Sequence, residues 1–234
     1  MKHTLKFTKL LFIALTLFVA VSCDGDDDND NIIEVESNTI ADVVSNDPNY
    51  SSLLAALQRT GLDATLAGSC TFTVFAPDND AFDAYLDGTA LEDVDTDALT
   101  QLLLNHVLNQ TLDSEQLSTD IDGYVSTEAT ESSTNANISM YIDSTSGVVI
   151  NGQSTVTNAD IEADNGIIHA VDNVIEIPSI VTFATSNAGL SSLVAALTDE
   201  GNTTFTSMLA NTDADFTVFA PSNDAFTTFL DGSM

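Results

Sequence analysis

The residues whose types could do chemistry are few: His106, His169, Cys70, the acidic run DVDTD at Asp93 to Asp97, and Asp160. Two histidines can hold a metal or serve as a general base, a cysteine of lowered pKa is a nucleophile, and spaced carboxylates can open a calcium loop. Each possibility is tested by its neighbours. Counting from Asp93, the sixth position is Ala98 where a calcium loop turns on Gly, and the twelfth is Leu104 where a bidentate Glu belongs. The run therefore reads as an acidic loop whose last member, Asp97, caps a helix. Cys70 follows Ser69 with no basic neighbour to lower its pKa, and reads as an inert thiol. His106 falls on an apolar stripe with Leu99, Leu102, Leu103 and Val107, and His169 sits within IIHAV. Both positions point to burial, where the rings would bond backbone or a nearby Asp or Asn. A metal pair or a general base is the alternative. The sequence contains no G-x-S-x-G, no H-E-x-x-H and no glycine-rich phosphate loop, so an enzyme reading has no nucleophile to name. No catalytic residue, metal or cofactor is expected.

The elements that must position these residues are marked by local signals. Leu53, Leu54 and Leu57 share a helical face that Gly61 ends. Phe72, Val74 and Ala76 alternate with Thr73 and Phe75 as in a strand stopped by Pro77, and Asp78 is placed to cap a short helix carrying Ala81, Phe82, Tyr85 and Leu86. The stripe from Leu99 to Val107 predicts a longer helix. Beyond it the period falls to 2: Ile138, Met140 and Ile142 alternate with polar residues, and Asn151-Gly152 and Asn165-Gly166 mark hairpin turns. Helices first and hairpins last is an α+β order.

The chain repeats itself. FTVFAPDNDAFDAYLDG (72–88) returns as FTVFAPSNDAFTTFLDG (216–232), offset by 144, and SSLLAALQRTGL (51–62) returns as SSLVAALTDEG (191–201), offset by 140. A period of roughly 140 residues is the size of a whole domain, so two domains of one type are expected in tandem. Only Ser233 and Met234 follow the second phrase, against about 90 residues between Gly88 and Pro178. The second domain, residues 180–234, is accordingly expected to be an N-terminal part only, a truncated copy with strand edges and an apolar face left open.

At the N-terminus, Lys2, Lys6 and Lys9 precede the apolar run Leu10 to Val21, and Ser22 stands before Cys23. The run is too short to span a bilayer and has the layout of a secretory signal. A cysteine directly after the small residue resembles a bacterial lipoprotein signal, which implies a signal peptide at 1–22, lipidation of Cys23, and a membrane contact through that lipid. The acidic stretch DGDDDNDN reads as part of a solvated tether, residues 23–37. An acidic stretch after the lipidated cysteine also resembles signals that send lipoproteins to the outer membrane and its surface. Removal of the leader leaves Arg59 alone against 36 carboxylates, a formal charge of −35. No basic footprint remains for nucleic acid.

TFTVFAPDNDAF (71–82) resembles the first signature of the fasciclin (FAS1) domain, NHVL (105–108) its central histidine motif, and NGIIHAVDNVI (165–175) its second signature. The resemblance implies one complete domain at residues 38–178 and part of another from 180. It implies a β-sandwich wedge with helices packed around it, and a role in cell adhesion or matrix contact. Phe75, Pro77, Asn79, Asp80, Phe82, His106, Gly166 and His169 fall within these motifs as structural residues. ADIEADNGIIH (159–169) places Asp160 and Ile161 where animal adhesion members of the family carry an Asp-Ile pair implicated in integrin binding. Packing of Ile161 in the core, with Asp160 a plain loop carboxylate, is the favoured alternative. The implied partner is a protein or glycan of the cell surface or matrix. An accessory lipoprotein of a glycan-handling system is the runner-up, disfavoured by the lack of Trp and the presence of only four Tyr.

Overall fold

The computed structural model describes residues 37–232, except 120, 122, 200–202 and 213. The signal segment, Cys23 and nearly all of the acidic tether lie outside the described residues.

Helix α1 (Ile40–Asn46) starts in a capping box in which Asp42 N–H donates to Thr39 Oγ1 (3.3 Å) and Thr39 N–H donates back to the Asp42 carboxylate (2.9 Å). Helix α2 (Ser51–Thr60) buries Leu53, Ala56 and Leu57 and ends at Gly61, whose φ of 73° is the left-handed cap that glycine supplies without strain. Helix α3 (Leu62–Leu66) and strand β1 (Phe72–Pro77) follow, and Asp78 caps α4 (Asn79–Leu86) by accepting from Ala81 N–H at 2.9 Å. Two features of the next helix differ from the sequence expectation. Asp95, not Asp97, caps α5 (Thr96–Leu104), accepting from both Asp97 and Ala98 N–H. The helix also stops before His106, and Val107 opens strand β2 (Val107–Leu108). The apolar period continues past the helix because His106 and Val107 are buried too, Val107 in the same core as Leu99, Leu102 and Leu103.

Helix α6 (Ser114–Thr119) leads into strands β3 (Tyr124–Thr130), β4 (Asn137–Asp143), β5 (Val149–Ile150), β6 (Ser154–Ala163) and β7 (Gly166–Val171). They form a seven-stranded sheet in the order β2-β1-β7-β6-β5-β4-β3, in which β1 and β7 run parallel and all other neighbours antiparallel. The two ends of this order, β2 and β3, also touch, so the sheet folds over itself as a sandwich. Strand β1 is buried on both faces. Phe72, Val74 and Ala76 face a core completed by Leu53 and Leu57 of α2, Leu99, Leu102 and Leu103 of α5, and Ile168 of β7. Phe75 faces a second core with Leu108, Met140, Ile150, Val171 and Ile175 inside the folded sheet. The parallel pairing begins where Gly166 meets Phe72. At φ 151° a β-carbon on Gly166 would fall 2.0 Å from the Phe72 carbonyl oxygen, so no other residue fits without moving the backbone.

The second copy repeats the helices: α7 (Ile180–Ser186), α8 (Ser191–Leu197), α9 (Thr204–Leu209) and α10 (Asn223–Leu230), the last capped by Ser222 as α4 is by Asp78. It does not repeat the strand. Phe216 to Pro221 has no regular structure and is exposed along its length. Strand β1 depends on β7 and β2, both later in the chain. Among the described residues of the second copy only Leu209 is buried. Contacts to the first copy include Ser133 Oγ donating to Asp215 (3.3 Å) and the Tyr124 ring meeting Phe183 edge-on at 5.6 Å between centroids.

Candidate functional site

The chemistry-bearing residues of the first copy converge where the segment between β2 and α6 crosses β1, β7 and β6. The Thr73 hydroxyl donates to Gln110 O (2.7 Å) and accepts from Leu112 N–H (2.8 Å). His169 Nε2 bonds Leu112 O at 2.9 Å, and Nδ1 accepts from Asp160 N–H at 3.3 Å, which assigns the ring proton to Nε2. Asp160 lies in an irregularity of β6, where the register to β7 shifts, with a left-handed φ of 58° that Asp tolerates better than most residues. That conformation turns its carboxylate to the start of α6, where Oδ1 accepts from Ser114 N–H (2.8 Å) and Oδ2 from the Ser114 hydroxyl. The Ser114 bonds and the nearby His169 hold the Asp160 carboxyl below its ordinary range. Burial pushes the His169 pKa down, against the opposing pull of the Leu112 carbonyl, Asp160 and Asp113.

His106 is the second histidine and is equally occupied. Its Nδ1–H donates to Leu102 O (2.8 Å) and its Nε2 accepts from Ile175 N–H (2.8 Å). Full burial lowers its pKa from 6.5 to about 4, so the ring is neutral at pH 7. Serine, histidine and aspartate thus stand together without forming a nucleophilic triad. The Ser114 hydroxyl bonds the carboxylate, not an imidazole, and both nitrogens of each ring are taken by backbone groups. Among the described residues no group of three His, Cys, Asp or Glu side chains is arranged to hold a metal ion.

A family model described as the fasciclin domain matches residues 48–178, the span that carries α2, the whole sheet and both histidine fastenings. The chain belongs to the fasciclin family. It is 34% identical over 143 residues to Protein sll1483 of Synechocystis, 31% identical over 207 residues to human periostin, and 28% identical over 149 residues to pig transforming growth factor-beta-induced protein ig-h3. These matches cover 60%, 84% and 62% of this chain, and 74%, 22% and 20% of the relatives' own lengths. The fold is similar to a FAS1 domain pair from the insect cell adhesion molecule fasciclin I, with a TM-score of 0.51 and 21% identity, covering 78% of this chain and 64% of that one.

Within this fasciclin domain the Asp160-Ile161 pair is divided. Asp160 is exposed at the surface with both oxygens accepting from Ser114, whereas Ile161 is half-buried against the helix-side core. Phe75 and Phe82 are fully buried, Pro77 closes β1, and Asp80 is exposed in the first turn of α4. Asn79 fastens α4 to the start of α2: its Oδ1 accepts from Ser52 N–H (2.9 Å) and Ser51 Oγ (3.2 Å), and its Nδ2 donates to Pro48 O (2.8 Å). Asn223 does the same to Ser192 N–H, Ser191 Oγ and Ala188 O in the second copy.

Three fastenings escaped sequence reasoning. The buried Asn165 accepts from Ile40 N–H (2.8 Å) and donates to Leu66 O and Gly68 O (2.7 and 2.8 Å), joining the helices to the β6–β7 turn. Asn105 donates to Ile175 O and Glu176 O (both 3.1 Å). Arg59 donates to Leu91 O, Glu92 O, Val94 O and the Thr96 hydroxyl, tying α2 to the approach to α5. Only the asparagines carried a signal, since each directly precedes a motif residue, His106 or Gly166.

Proposed function

We propose that this chain is a non-enzymatic binding module that mediates contact at the cell exterior, held to the membrane by a lipid on Cys23 and lifted from it by the acidic tether. The match of residues 48–178 to the fasciclin domain carries the reading, because a FAS1 pair of the same fold belongs to an insect cell adhesion molecule. The histidines favour it too: with both nitrogens of each ring committed to backbone, neither is available as a base. Asp160 is the candidate contact, a charged surface carboxylate fixed by Ser114 at a strand irregularity. Asp160→Asn keeps an oxygen for Ser114 while removing the charge, so it separates binding from folding. Cells displaying this variant are expected to attach less well to immobilised matrix while the isolated protein keeps its Tm. Normal attachment by both Asp160→Asn and Asp160→Ala would move the adhesive surface elsewhere. Membrane anchoring is tested by Cys23→Ala, expected to shift the protein out of the detergent phase.

The glycan reading gains one specific observation. A groove of about 490 Å³ runs along β3, lined by the exposed Asn109 and Gln110 together with the exposed Tyr124. Amides offer paired donors and acceptors to sugar hydroxyls, and an aromatic ring offers an apolar face. Binding to a glycan panel that is lost in Tyr124→Ala would favour this reading over protein adhesion.

A further inference from the structure

Strand β3 of the first copy ends the sheet order, and its bonds to β4 fix which backbone groups its other edge offers. Gly123 O accepts from Ile142 N–H at 2.7 Å, and the register then sets Tyr124 opposite Tyr141, Val125 opposite Met140 and Ser126 opposite Ser139. Bonded and non-bonded pairs alternate in an antiparallel ladder, so Val125 bonds β4 while the N–H and C=O groups of Tyr124 and Ser126 point the other way. No described strand is hydrogen-bonded to that edge. Past the register shift the outward N–H of Thr130 is closed off, donating to Gln101 Oε1 at 2.8 Å. At Tyr124 and Ser126 there is a groove of about 490 Å³ instead, with the exposed Asn109 and Gln110 on its lining beyond the end of β2. Tyr124, Ser126 and Glu128 share the outward face of β3, alternating with the buried Val125 and Thr127. Glu128 is the one charged side chain among the described residues that line the groove.

We propose that the Tyr124–Glu128 edge docks an extended segment of a partner protein, which adds to the sheet as a further strand and sets an apolar residue beside Tyr124 and a Lys or Arg beside Glu128. Two observations choose this occupant. Outward N–H and C=O groups repeated on every second residue are matched by the backbone of another strand, and cross-strand neighbours on one face then read the side chains. The charge for Glu128 must come from outside, because Arg59 is the only Lys or Arg among the described residues and its guanidinium is committed to Leu91, Glu92, Val94 and Thr96. A second copy of this chain fits less well, since it brings a second carboxylate-rich surface and no free cation of its own. The proposal deepens the reading of the chain as a protein-binding module and rests on it.

The probe is a fluorescent synthetic peptide, TFTVTKT, whose Phe and Lys have the spacing of Tyr124 and Glu128 on one strand face, added to the full chain. Saturable binding is expected, with slowed hydrogen exchange at the Tyr124 and Ser126 amides. Ser126→Pro removes an outward donor while leaving the β4 side of the strand its bonds, and should weaken binding at least tenfold without loss of the main unfolding transition. The peptide TFTVTET should bind at least tenfold more weakly than TFTVTKT, and Glu128→Lys should reverse that preference; this charge exchange tests the site even where Ser126→Pro fails to fold. Failure of TFTVTKT to bind or to protect the two amides overturns the proposal, as does a preference for the Lys peptide that Glu128→Lys leaves unchanged. A wild-type dimer that Ser126→Pro dissociates would make a second copy the occupant, and protection of the same amides by a glycan but not by the peptide would assign the groove to sugar. Either result also overturns it. The measurement uses purified components, so its failure leaves the cell-attachment test of Asp160 standing.

Discussion

The same six residues, FTVFAP, occur twice in this molecule and have two structures. At 72–77 they are a strand buried on both faces, and at 216–221 they are exposed chain without regular structure. Phe75 is 0% exposed and its counterpart Phe219 is 93% exposed. What differs is the company each keeps. Phe72–Pro77 borrows hydrogen bonds from β2 and β7, the latter from residues 166–171, so its strand form is a non-local property. The asparagine clasp, by contrast, is present in both copies with nearly the same distances, because its partners lie within 35 residues in the chain. The local hydrogen bonds form in both copies, whereas the strand forms only where β2 and β7 pair with it.

Hydrogen exchange should show the largest contrast. Amides of β1 are expected to exchange only through global opening and those of Phe216–Ala220 almost freely, a ratio of ~10⁴ or more for an ordinary domain stability. Comparable protection in the two segments would mean that Phe216–Ala220 is hydrogen-bonded in solution as β1 is. Next in size is a pair of truncations followed by urea unfolding. Phe75→Ala should cost about 3–5 kcal/mol, whereas Phe219→Ala should stay within about 0.5 kcal/mol of wild type. Equal costs would break the comparison.

Acid should act on the first copy alone. The folded state keeps His106 neutral down to about pH 4, whereas the unfolded chain takes up the proton near pH 6.5. Stability contributed by the neutral ring is therefore full above about pH 6.5 and is lost as pH falls toward 4, amounting to about 3 kcal/mol. Urea midpoints measured across this range at high salt, which screens carboxylate repulsion, check the sign and size. A flat profile would mean that the ring is reached by water. The smallest contrast is at the clasps. Asn79→Ala should lower the stability of the first copy by about 1 kcal/mol, and Asn223→Ala should leave the main unfolding transition in place while loosening Ala188–Ser192 to exchange.

What the sequence made legible follows the same division. Gly61, Asp78, Ser222 and the two Asn-Gly turns announce themselves within a few residues, and each holds the place expected of it. The end of α5 was not legible, since His106 and Val107 continue its apolar period: His106 is held by Ile175 N–H and Val107 shares the core of the α5 leucines although it already lies in β2. Nor was the parallel pairing of β1 with β7, which spans most of the domain and rests on Gly166 having no side chain against Phe72. The His169-Asp160-Ser114 junction needed the fold, because Ser114 is 46 residues from Asp160. Asp160 and Ile161, adjacent in sequence, fell to opposite environments because the strand irregularity turns one outward and leaves the other against the helices.

Arg59 spends its guanidinium on three carbonyl groups and a hydroxyl. Its charge is thereby fixed in a half-buried seam between α2 and the approach to α5, one positive point among the many carboxylates of the described residues. Such a surface behaves as a polyanion, gathering a cloud of mobile cations within about 8 Å at physiological ionic strength. Neighbouring molecules would be kept apart by the osmotic pressure of those clouds, and close approach to any equally acidic surface would require divalent ions shared between the two. Calcium or magnesium in the medium would then set how closely two such surfaces can approach.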